Sequence, residues 1–342
     1  VTNNYLKSLQ KQLEGSNYKK PLYIMQSNGG VIRAESALEQ PVKTLLSGPV
    51  GGTIGGQALS KLIKRPNLIC VDMGGTSFDM SLIINGKPSV TNETEQEFIP
   101  LLIPLVDIHT IGAGGGSVAW LENEALRVGP RSAGANPGPA CYGKGGQEPT
   151  VTDANLYLGR LGKESKLGGW MDLDLHASEK VLKNLSSQLN ISPVELAEGI
   201  LSIINAKMAD AIRTITVKEG IDPREFSLVA FGGAGSMHAV WLAEELEINE
   251  IIVPNDPGTF SAWGMLQTDI RRDLTVNFYQ NFQSLEKQKL LDNFNKLKNE
   301  ATELLKSENV NEADMSFNLT ADMRYIGQEY YVNVDINKNI DL

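Results

Sequence analysis

Two carboxylates, two glycines and two hydroxyls lie within eight residues of one another in the segment ICVDMGGTSFDMSLII. They are Asp72, Gly74, Gly75, Thr76, Ser77 and Asp79. Neighbouring glycines can adopt positive φ, so that successive N–H groups converge on an anion. The hydroxyls add donors, and carboxylates beside a phosphate suit one that is carried with Mg²⁺. The segment therefore predicts a turn that binds the phosphates of a nucleotide.

Apolar residues on both sides of this turn, at 68–71 and 80–84, are typical of two β-strands. Two strands joined by so short a turn form a β-hairpin. An ordinary hairpin turn is the alternative interpretation, and the glycines alone would favour it. The full pattern of strand, DxGGTxxD and strand favours a phosphate hairpin.

A second glycine-rich turn follows an apolar strand at 226–231 and precedes a helix that begins near Met237. Its residues are Gly232, Gly233, Ala234 and Gly235. Glycines between a strand and a helix N-terminus let an adenine or a ribose lie against the backbone. A tight strand-to-helix turn is the alternative, but it would need fewer glycines. We interpret the segment as a second part of a nucleotide site.

A third glycine-rich segment lies between two strand-like stretches, VDIHTI and VAWL. It contains Gly114, Gly115, Gly116 and Ser117, and it predicts a loop that closes over a phosphate or a substrate. A flexible linker is the alternative. Just before it, Asp107 and His109 are two residues apart, so on a strand they would face the same side and could bind a metal. A packed or hydrogen-bonded histidine is the commoner outcome for such a residue.

Composition limits the classes of function. The chain has 342 residues, a length that favours more than one subdomain, and its 41% hydrophobic and 21% charged residues are typical of a soluble globular protein. A net charge of −10 argues against a nucleic-acid or membrane surface. Its two cysteines form no zinc-binding pattern, and no apolar stretch or leader suggests a membrane span or secretion. We expect a cytoplasmic protein.

Several long segments together resemble the hydantoinase A/oxoprolinase family, which includes N-methylhydantoinases, 5-oxoprolinases and relatives of acetone carboxylase. They occur in the family's order, from about residue 20 to residue 275, and RYIGQEY at 324–330 is similar to a later part of it. The segments are VDMGGTSFDMSLI, DIHTIGAGGGSVAW, VGPRSAGANPGPACYGKGG, PTVTDANLYLGRL, FGGAGSMHA and PGTFSAWGML.

The resemblance implies the second-half domain of an actin-like (ribonuclease H-like) ATPase, an α/β fold with a mixed sheet and flanking helices. On this basis residues 1–65 end a preceding subdomain, 66–270 form the ATPase subdomain with a helical insertion at about 160–192, and 271–342 begin an α+β C-terminal module. The family opens with its own phosphate motif, which does not occur in this chain. We therefore expect a fragment that lacks the N-terminal half and is inactive by itself.

The activity that the resemblance implies is ATP-dependent opening of a cyclic amide of the hydantoin or 5-oxoproline type, by phosphoryl activation of the carbonyl oxygen. ATP and Mg²⁺, or another divalent metal, would be the cofactors, and a hydantoinase B-type subunit or domain the partner. Asp72, Asp79 and His109 are then the catalytic candidates. The metal candidates are Asp72 and, as alternatives, Asp107 and His109.

Two other functions remain open at this point. One is an ATP-dependent ketone carboxylase subunit, which bicarbonate dependence of ATP turnover would distinguish. The other is a nucleotide-binding assembly subunit with no chemistry of its own. A sugar kinase is less consistent with the sequence, because the DIHT–GAGGGS and PGPACYG segments have no evident counterpart there.

Overall fold

The computed structural model describes residues 2–91, 94–96, 99–101, 105–162 and 164–336. Its helices are α1 (Thr2–Gly15), α2 (Ala34–Glu39), α3 (Ser47–Ile63), α4 (Val151–Tyr157), α5 (Leu175–Leu189), α6 (Pro193–Lys218), α7 (Gly235–Glu245), α8 (Phe260–Met265) and α9 (Lys287–Ser307). Its strands are β1 (Tyr23–Met25), β2 (Val31–Arg33), β3 (Leu68–Met73), β4 (Phe78–Ile84), β5 (Lys87–Pro88), β6 (Val90–Thr91), β7 (Thr94–Gln96), β8 (Ile99–Leu101), β9 (Leu105–Val106), β10 (Ile108–Ile111), β11 (Ser117–Glu122), β12 (Ala125–Ser132), β13 (Ser227–Phe231), β14 (Ile251–Ile252), β15 (Thr320–Met323) and β16 (Val332–Asp335).

The chain divides into two compact units. The larger contains residues 25–29 and 42–268, and the smaller contains 1–24, 30–41 and 269–342. The larger unit includes residues 42–65, which the sequence analysis assigned to a preceding subdomain, because α3 packs against β3 and β4 of the central sheet. No helix within the described ranges is long and apolar enough to span a membrane.

A mixed sheet forms the centre of the larger unit, with strand order β10-β4-β3-β13-β14. β3 and β4 form the predicted antiparallel hairpin, whereas β13 pairs in parallel with β3 and with β14. One face of the sheet packs on α6 and its neighbours in a large apolar core, and the other face packs on α3 and α8. The mixed α/β class predicted from the sequence is confirmed.

Helix α3 lies so close to α8 and the sheet that only glycine fits along one side of it. A Cβ on Gly264 of α8 would overlap the carbonyl oxygen of Gly51, and one on Gly56 would overlap Cys70 Sγ. Gly52 would place a Cβ 2.6 Å from the ring of Phe231. The small residues that open α3 therefore serve close helix packing.

Two helices begin with capping boxes, as their sequences indicate. At α6 the Ser192 hydroxyl accepts from the N–H of Glu195 and the Glu195 carboxylate accepts from the N–H of Ser192, with Pro193 at the first helical position. At α4 the same exchange joins Thr150 and Asp153. Helix α5 contributes apolar side chains to the main core, so the segment predicted as a helical insertion is packed within the larger unit.

The smaller unit contains α1, α2, α9, β2 and the short antiparallel hairpin β15–β16. Glu308 is a buried charged group of this unit, and its side chain is 1% exposed. Arg33 Nη2 donates to the Glu308 carbonyl oxygen at 3.2 Å, and Arg272 Nη2 donates to its carboxylate. Two guanidinium groups thus neutralise a carboxylate that would otherwise be costly to bury.

Helix α7 carries a buried histidine that faces α6. His238 Nδ1 is 2.6 Å from Asn205 Oδ1 and its Nε2 is 3.4 Å from Asn155 Nδ2. This arrangement fits a neutral ring with its proton on Nδ1. Burial, followed by the charge of Arg160, lowers the pKa of His238 to about 4 from its usual 6.5.

We therefore expect His238 to make the protein sensitive to acid. Above pH 6.5 the ring is neutral in both the folded and the unfolded chain, so it does not change the free energy of unfolding. As the pH falls from 6.5 toward 4, the unfolded chain binds a proton that the folded chain does not. The free energy of unfolding should fall by up to about 1.4 kcal/mol per pH unit from this group. Urea unfolding of the His238→Asn variant at several pH values should show a shallower slope. The same change at His176, whose side chain is 91% exposed, should leave the slope unaltered.

Candidate functional site

The two predicted nucleotide turns lie side by side at one edge of the sheet. β3 and β13 are parallel, and Asp72 near the end of β3 is in register with Phe231 at the end of β13. The turn after β13 bends back over β3, where the N–H of Ala234 donates to the carbonyl oxygen of Met73 at 2.9 Å. The carboxyl ends of parallel strands are a common place for ligand sites in α/β proteins.

Gly232 is required at this position by its backbone and by its neighbour. Its φ is +81°, and a Cβ there would overlap Asp72 Oδ1. We expect Gly232→Ala to cost about 1–3 kcal/mol of unfolding free energy and to displace Asp72. The next glycine is a matched control, because a Cβ on Gly233 would meet no atom within 4 Å. Thermal unfolding of both variants checks this, and equal stabilities would contradict it.

The tip of the β3–β4 hairpin is open. Gly75 and Thr76 are exposed, and a Cβ on Gly74 or Gly75 would meet nothing within 4 Å. The turn is closed by the Gly74 N–H, which donates to the Ser77 carbonyl oxygen at 3.2 Å. Within the described residues, the N–H groups of Gly75 and Thr76 have no hydrogen-bond acceptor. These two donors are therefore free to bind an anion.

Two carboxylates stand next to this turn on the same face of the hairpin. Asp72 and Asp79 are directly opposite each other in the β3–β4 register, and Thr110 of β10 is opposite Asp79. Thr110 Oγ1 donates to Asp79 Oδ1 at 2.5 Å, and Ser77 Oγ donates to its Oδ2 at 3.2 Å. Ser261 Oγ of α8 donates to Asp72 Oδ2 at 3.1 Å. Hydroxyl groups thus fix both carboxylates in place.

Negative charge at this pair is not compensated by the protein. Burial raises the pKa of Asp72 above its usual value, the hydrogen bond from Ser261 opposes that shift, and the charge of Asp79 adds to it. Among the described residues, no Lys, Arg or His forms an ion pair with either carboxylate. Two such carboxylates beside free N–H groups suit a divalent cation that accompanies a phosphate. No group of three or more His, Cys, Asp or Glu in the described part of the chain could hold a metal without such help.

The third glycine segment lies directly against the hairpin turn. The N–H of Gly115 donates to the Gly74 carbonyl oxygen at 3.0 Å, and that of Gly116 donates to the Gly75 carbonyl oxygen at 2.7 Å. A Cβ on Gly114 would lie 2.6 Å from the backbone of Gly75. This contact explains why the segment consists of glycines.

The donors of this segment are also used within the chain. The N–H of Gly114 donates to Ser117 Oγ, and that of Ser117 donates to the Gly114 carbonyl oxygen, both at 3.0 Å. Because Gly115 and Gly116 donate to the hairpin, all four N–H groups have acceptors. The segment therefore supports the hairpin turn, and none of its four N–H groups is left for a ligand.

Asp107 and His109 lie apart from the two carboxylates. His109 is in register with Met80, whose side chain is in the core on the α6 face, whereas its neighbour Thr110 faces the α3 side with Asp79. Asp107 Oδ2 is 3.4 Å from His109 Nε2 and 3.6 Å from Lys218 Nζ of α6. The polar contact with the His109 ring and the charge of Lys218 hold the pKa of Asp107 below its usual value, although partial burial opposes the shift. The structure therefore does not bring His109 together with Asp72.

Sequence reasoning missed a buried carboxylate behind the site. Asp153 of α4 is 0% exposed, and its two oxygens accept five hydrogen bonds. The donors are the N–H groups of Ala140, Cys141 and Thr150 and the hydroxyls of Thr150 and Ser178. The Gly/Pro-rich loop before α4 is thereby tied to the helix. In the sequence, the position of Asp153 at the start of a helix was the only indication of this role, because the other hydrogen-bond donors are distant in the chain.

Ser261 was missed as well. It belongs to the PGTFSAWGML segment, which the sequence indicates only as a turn and a short helix. Its contact with Asp72 depends on how α8 packs across the end of the sheet, and Gly52 of α3 leaves room for it. A single serine in a short helix gives no local signal of such a role.

The model of the family described as hydantoinase/oxoprolinase matches residues 1–274. The chain belongs to this family. An uncharacterised protein of Methanocaldococcus jannaschii is 40% identical over 98% of this chain and 50% of its own length. The chain thus spans about half the length of this curated relative.

Two relatives of known structure have named activities. Caprolactamase subunit alpha of Pseudomonas jessenii is 38% identical over 80% of this chain and 40% of its own length. The crystal structure of ATP-dependent caprolactamase from that organism matches 98% of this chain and 49% of its own, with 34% identity and a TM-score of 0.76. A nucleotide-free structure of acetone carboxylase, from work on ATP-dependent acetone carboxylation, matches 98% and 48% with 26% identity and a TM-score of 0.82.

Proposed function

We propose that this chain provides the phosphate-binding region of an ATP-dependent enzyme that opens a cyclic amide of the hydantoin or 5-oxoproline type. The open hairpin turn, with two free N–H groups beside an uncompensated pair of carboxylates, carries the proposal. The fold would be the second-half domain of an actin-like ATPase. The named activity of the caprolactamase relative, an ATP-dependent lactam-acting enzyme, supports the substrate class.

Each group at the sheet edge has a role in this proposal. Gly75 and Thr76 would donate their N–H groups to phosphate oxygens of ATP, with Gly74 leaving room for them. Asp72 and Asp79 would hold Mg²⁺, directly or through water. The open backbone at Gly233 would lie against the adenosine, while Gly232, Ala234 and Gly235 shape that turn.

The chemistry follows from the low reactivity of amides. Bound ATP supplies the γ-phosphoryl group, which the amide oxygen accepts as the bond to ADP breaks. Water then adds to the amide carbon, and the C–N bond of the ring breaks as the nitrogen keeps the electron pair and a proton. A second water hydrolyses the resulting acyl phosphate to a carboxylate and free phosphate. Phosphoryl transfer depends mainly on positioning and on neutralising charge, and both can be supplied by fixed N–H groups and a cation.

Carboxylation of a ketone is the second candidate, and the fit to the acetone carboxylase structure favours it. In that reaction ATP would phosphorylate bicarbonate or a ketone oxygen in place of the amide oxygen. The same residues would therefore bind the phosphates of ATP. ATP turnover that depends on bicarbonate and a ketone would support carboxylation. Turnover that depends on a cyclic amide and ignores bicarbonate would support hydrolysis.

The partner that we propose is a hydantoinase B-type subunit or domain. The caprolactamase relative is named as an alpha subunit, which implies other subunits in that enzyme. The proposal is best tested with the complete natural protein and its partner, by calorimetric titration with ATP in the presence and absence of Mg²⁺. We expect Mg²⁺-dependent binding, and phosphate release that requires a cyclic amide. Failure of the complete assembly to bind ATP would refute the proposal.

A further inference from the structure

Helix α4 contacts three segments that are far apart in the chain. Thr152, in its first turn, donates to the Gly115 carbonyl oxygen twice, from its N–H at 2.7 Å and from its Oγ1 at 2.8 Å. Asp153 binds the Gly/Pro-rich loop, and Asn155 faces α7. All three side chains are at least nine-tenths buried.

The contacts of Thr152 continue to the phosphate turn. Gly115, which accepts both of its hydrogen bonds, donates to Gly74, and Gly116 donates to Gly75. A Cβ on Gly115 would lie 2.7 Å from Thr152 Oγ1, so the two segments are in close contact. Backbone hydrogen bonds thus run without interruption from α4 to the open hairpin tip.

Farther along α4, Asn155 contacts the helix that follows the second glycine turn. Asn155 Nδ2 is 3.4 Å from His238 Nε2, and His238 is three residues beyond Gly235, where α7 begins. His238 is held in turn by Asn205 of α6. One short helix therefore contacts, through buried polar groups, the supports of both turns.

We propose that α4 sets the position of the hairpin turn relative to the Gly232–Gly235 turn, with Thr152 as the positioning residue for phosphate binding. This inference rests on the proposed ATP site. Thr152 touches no ligand in it, but it holds the Gly115 carbonyl group by two hydrogen bonds. Gly115 and the next residue, Gly116, donate in turn to the carbonyl groups of the hairpin turn, whose free N–H groups would face the phosphate. Asp153 keeps the N-terminus of α4 in place.

The Thr152→Val variant tests this directly, because valine keeps the shape and loses the hydroxyl. Thr152→Ser is the matched control, since it keeps the hydroxyl. In the complete natural protein we expect valine to weaken ATP binding by about 5-fold, the effect of one buried hydrogen bond, and serine to weaken it little. Adenosine, which has no phosphate, should bind all variants equally. Thr152→Ala replaces the valine variant if that one does not fold.

Amide hydrogen exchange without nucleotide separates this inference from the proposed function. We expect faster exchange at the Gly115 and Gly116 amides in the valine variant than in the wild type or the serine variant. Unchanged exchange, or an equal loss of ATP and adenosine binding, would overturn the positioning role. If exchange is faster in the valine variant but the wild-type protein binds no ATP, the ATP site is refuted. The link from Thr152 to the hairpin would remain, and the role of Thr152 in phosphate binding would be overturned together with that site.

Discussion

Replacing Asp72 by asparagine should abolish most ATP turnover without destabilising the protein. The amide oxygen can still accept the hydrogen bond from Ser261, so the local structure is retained. The charge that would hold a cation beside the phosphate turn is lost, and we expect turnover of the complete enzyme to fall by at least about 10²-fold. Steady-state phosphate release at saturating ATP and Mg²⁺ measures this.

The direction in which this substitution changes the free energy of unfolding distinguishes a ligand-binding residue from one that stabilises the fold. Burial and the neighbouring Asp79 raise the pKa of Asp72, so its ionised form is disfavoured in the folded protein at neutral pH. Urea unfolding should therefore find Asp72→Asn as stable as the wild type or more so. Asp210→Asn is the control, because Asp210 is exposed and pairs only with Arg213 on the surface. Unchanged turnover in Asp72→Asn would remove this residue from the site.

Replacing Asp153 by asparagine should have the opposite outcome, with a large loss of stability. Its carboxylate oxygens accept five hydrogen bonds in a fully buried position. An amide nitrogen in place of one oxygen would face donors, because at least two N–H or O–H groups point at each oxygen. We expect a loss of about 3–5 kcal/mol in the free energy of unfolding.

The control for Asp153 is the same substitution at an exposed cap. Asp174 caps α5 by accepting from the N–H of Ala177 at 3.0 Å, and it lies at the surface. Asparagine caps helices about as well as aspartate, so Asp174→Asn should change the unfolding free energy by less than about 0.5 kcal/mol. Similar urea midpoints for the two variants would show that the buried network contributes little.

Local patterns in the sequence predicted the elements that need no distant partner. The hairpin at β3–β4 and the strand and helix around Gly232–Gly235 were predicted and are confirmed, and the capping residues that begin α4 and α6 stand within a few positions of one another in the sequence. Alternation of apolar residues, glycine turns and capping residues act over a few positions. Neighbours in the chain therefore suffice to specify them.

Those local patterns could not predict contacts between distant segments. Gly114–Gly116 were predicted to close over a ligand, but they support the hairpin turn, because the loop after β10 comes back against it. The spacing of Asp107 and His109 predicted two residues on the same side of one strand; Asp107 lies just before β10, with its carboxylate 3.4 Å from the His109 ring. The spacing could not show that this side faces α6, away from Asp72.

The sequence by itself determined the family, the mixed α/β class and the positions of the two glycine turns. Only the tertiary structure decided that Ser261 holds Asp72, that Thr152 supports the phosphate turn and that Asp153 fixes the loop before α4. The physical reason is the range of the interactions. Turns and caps depend on backbone conformation within a few residues, whereas a hydrogen bond between residues 189 positions apart depends on how helices pack across the sheet.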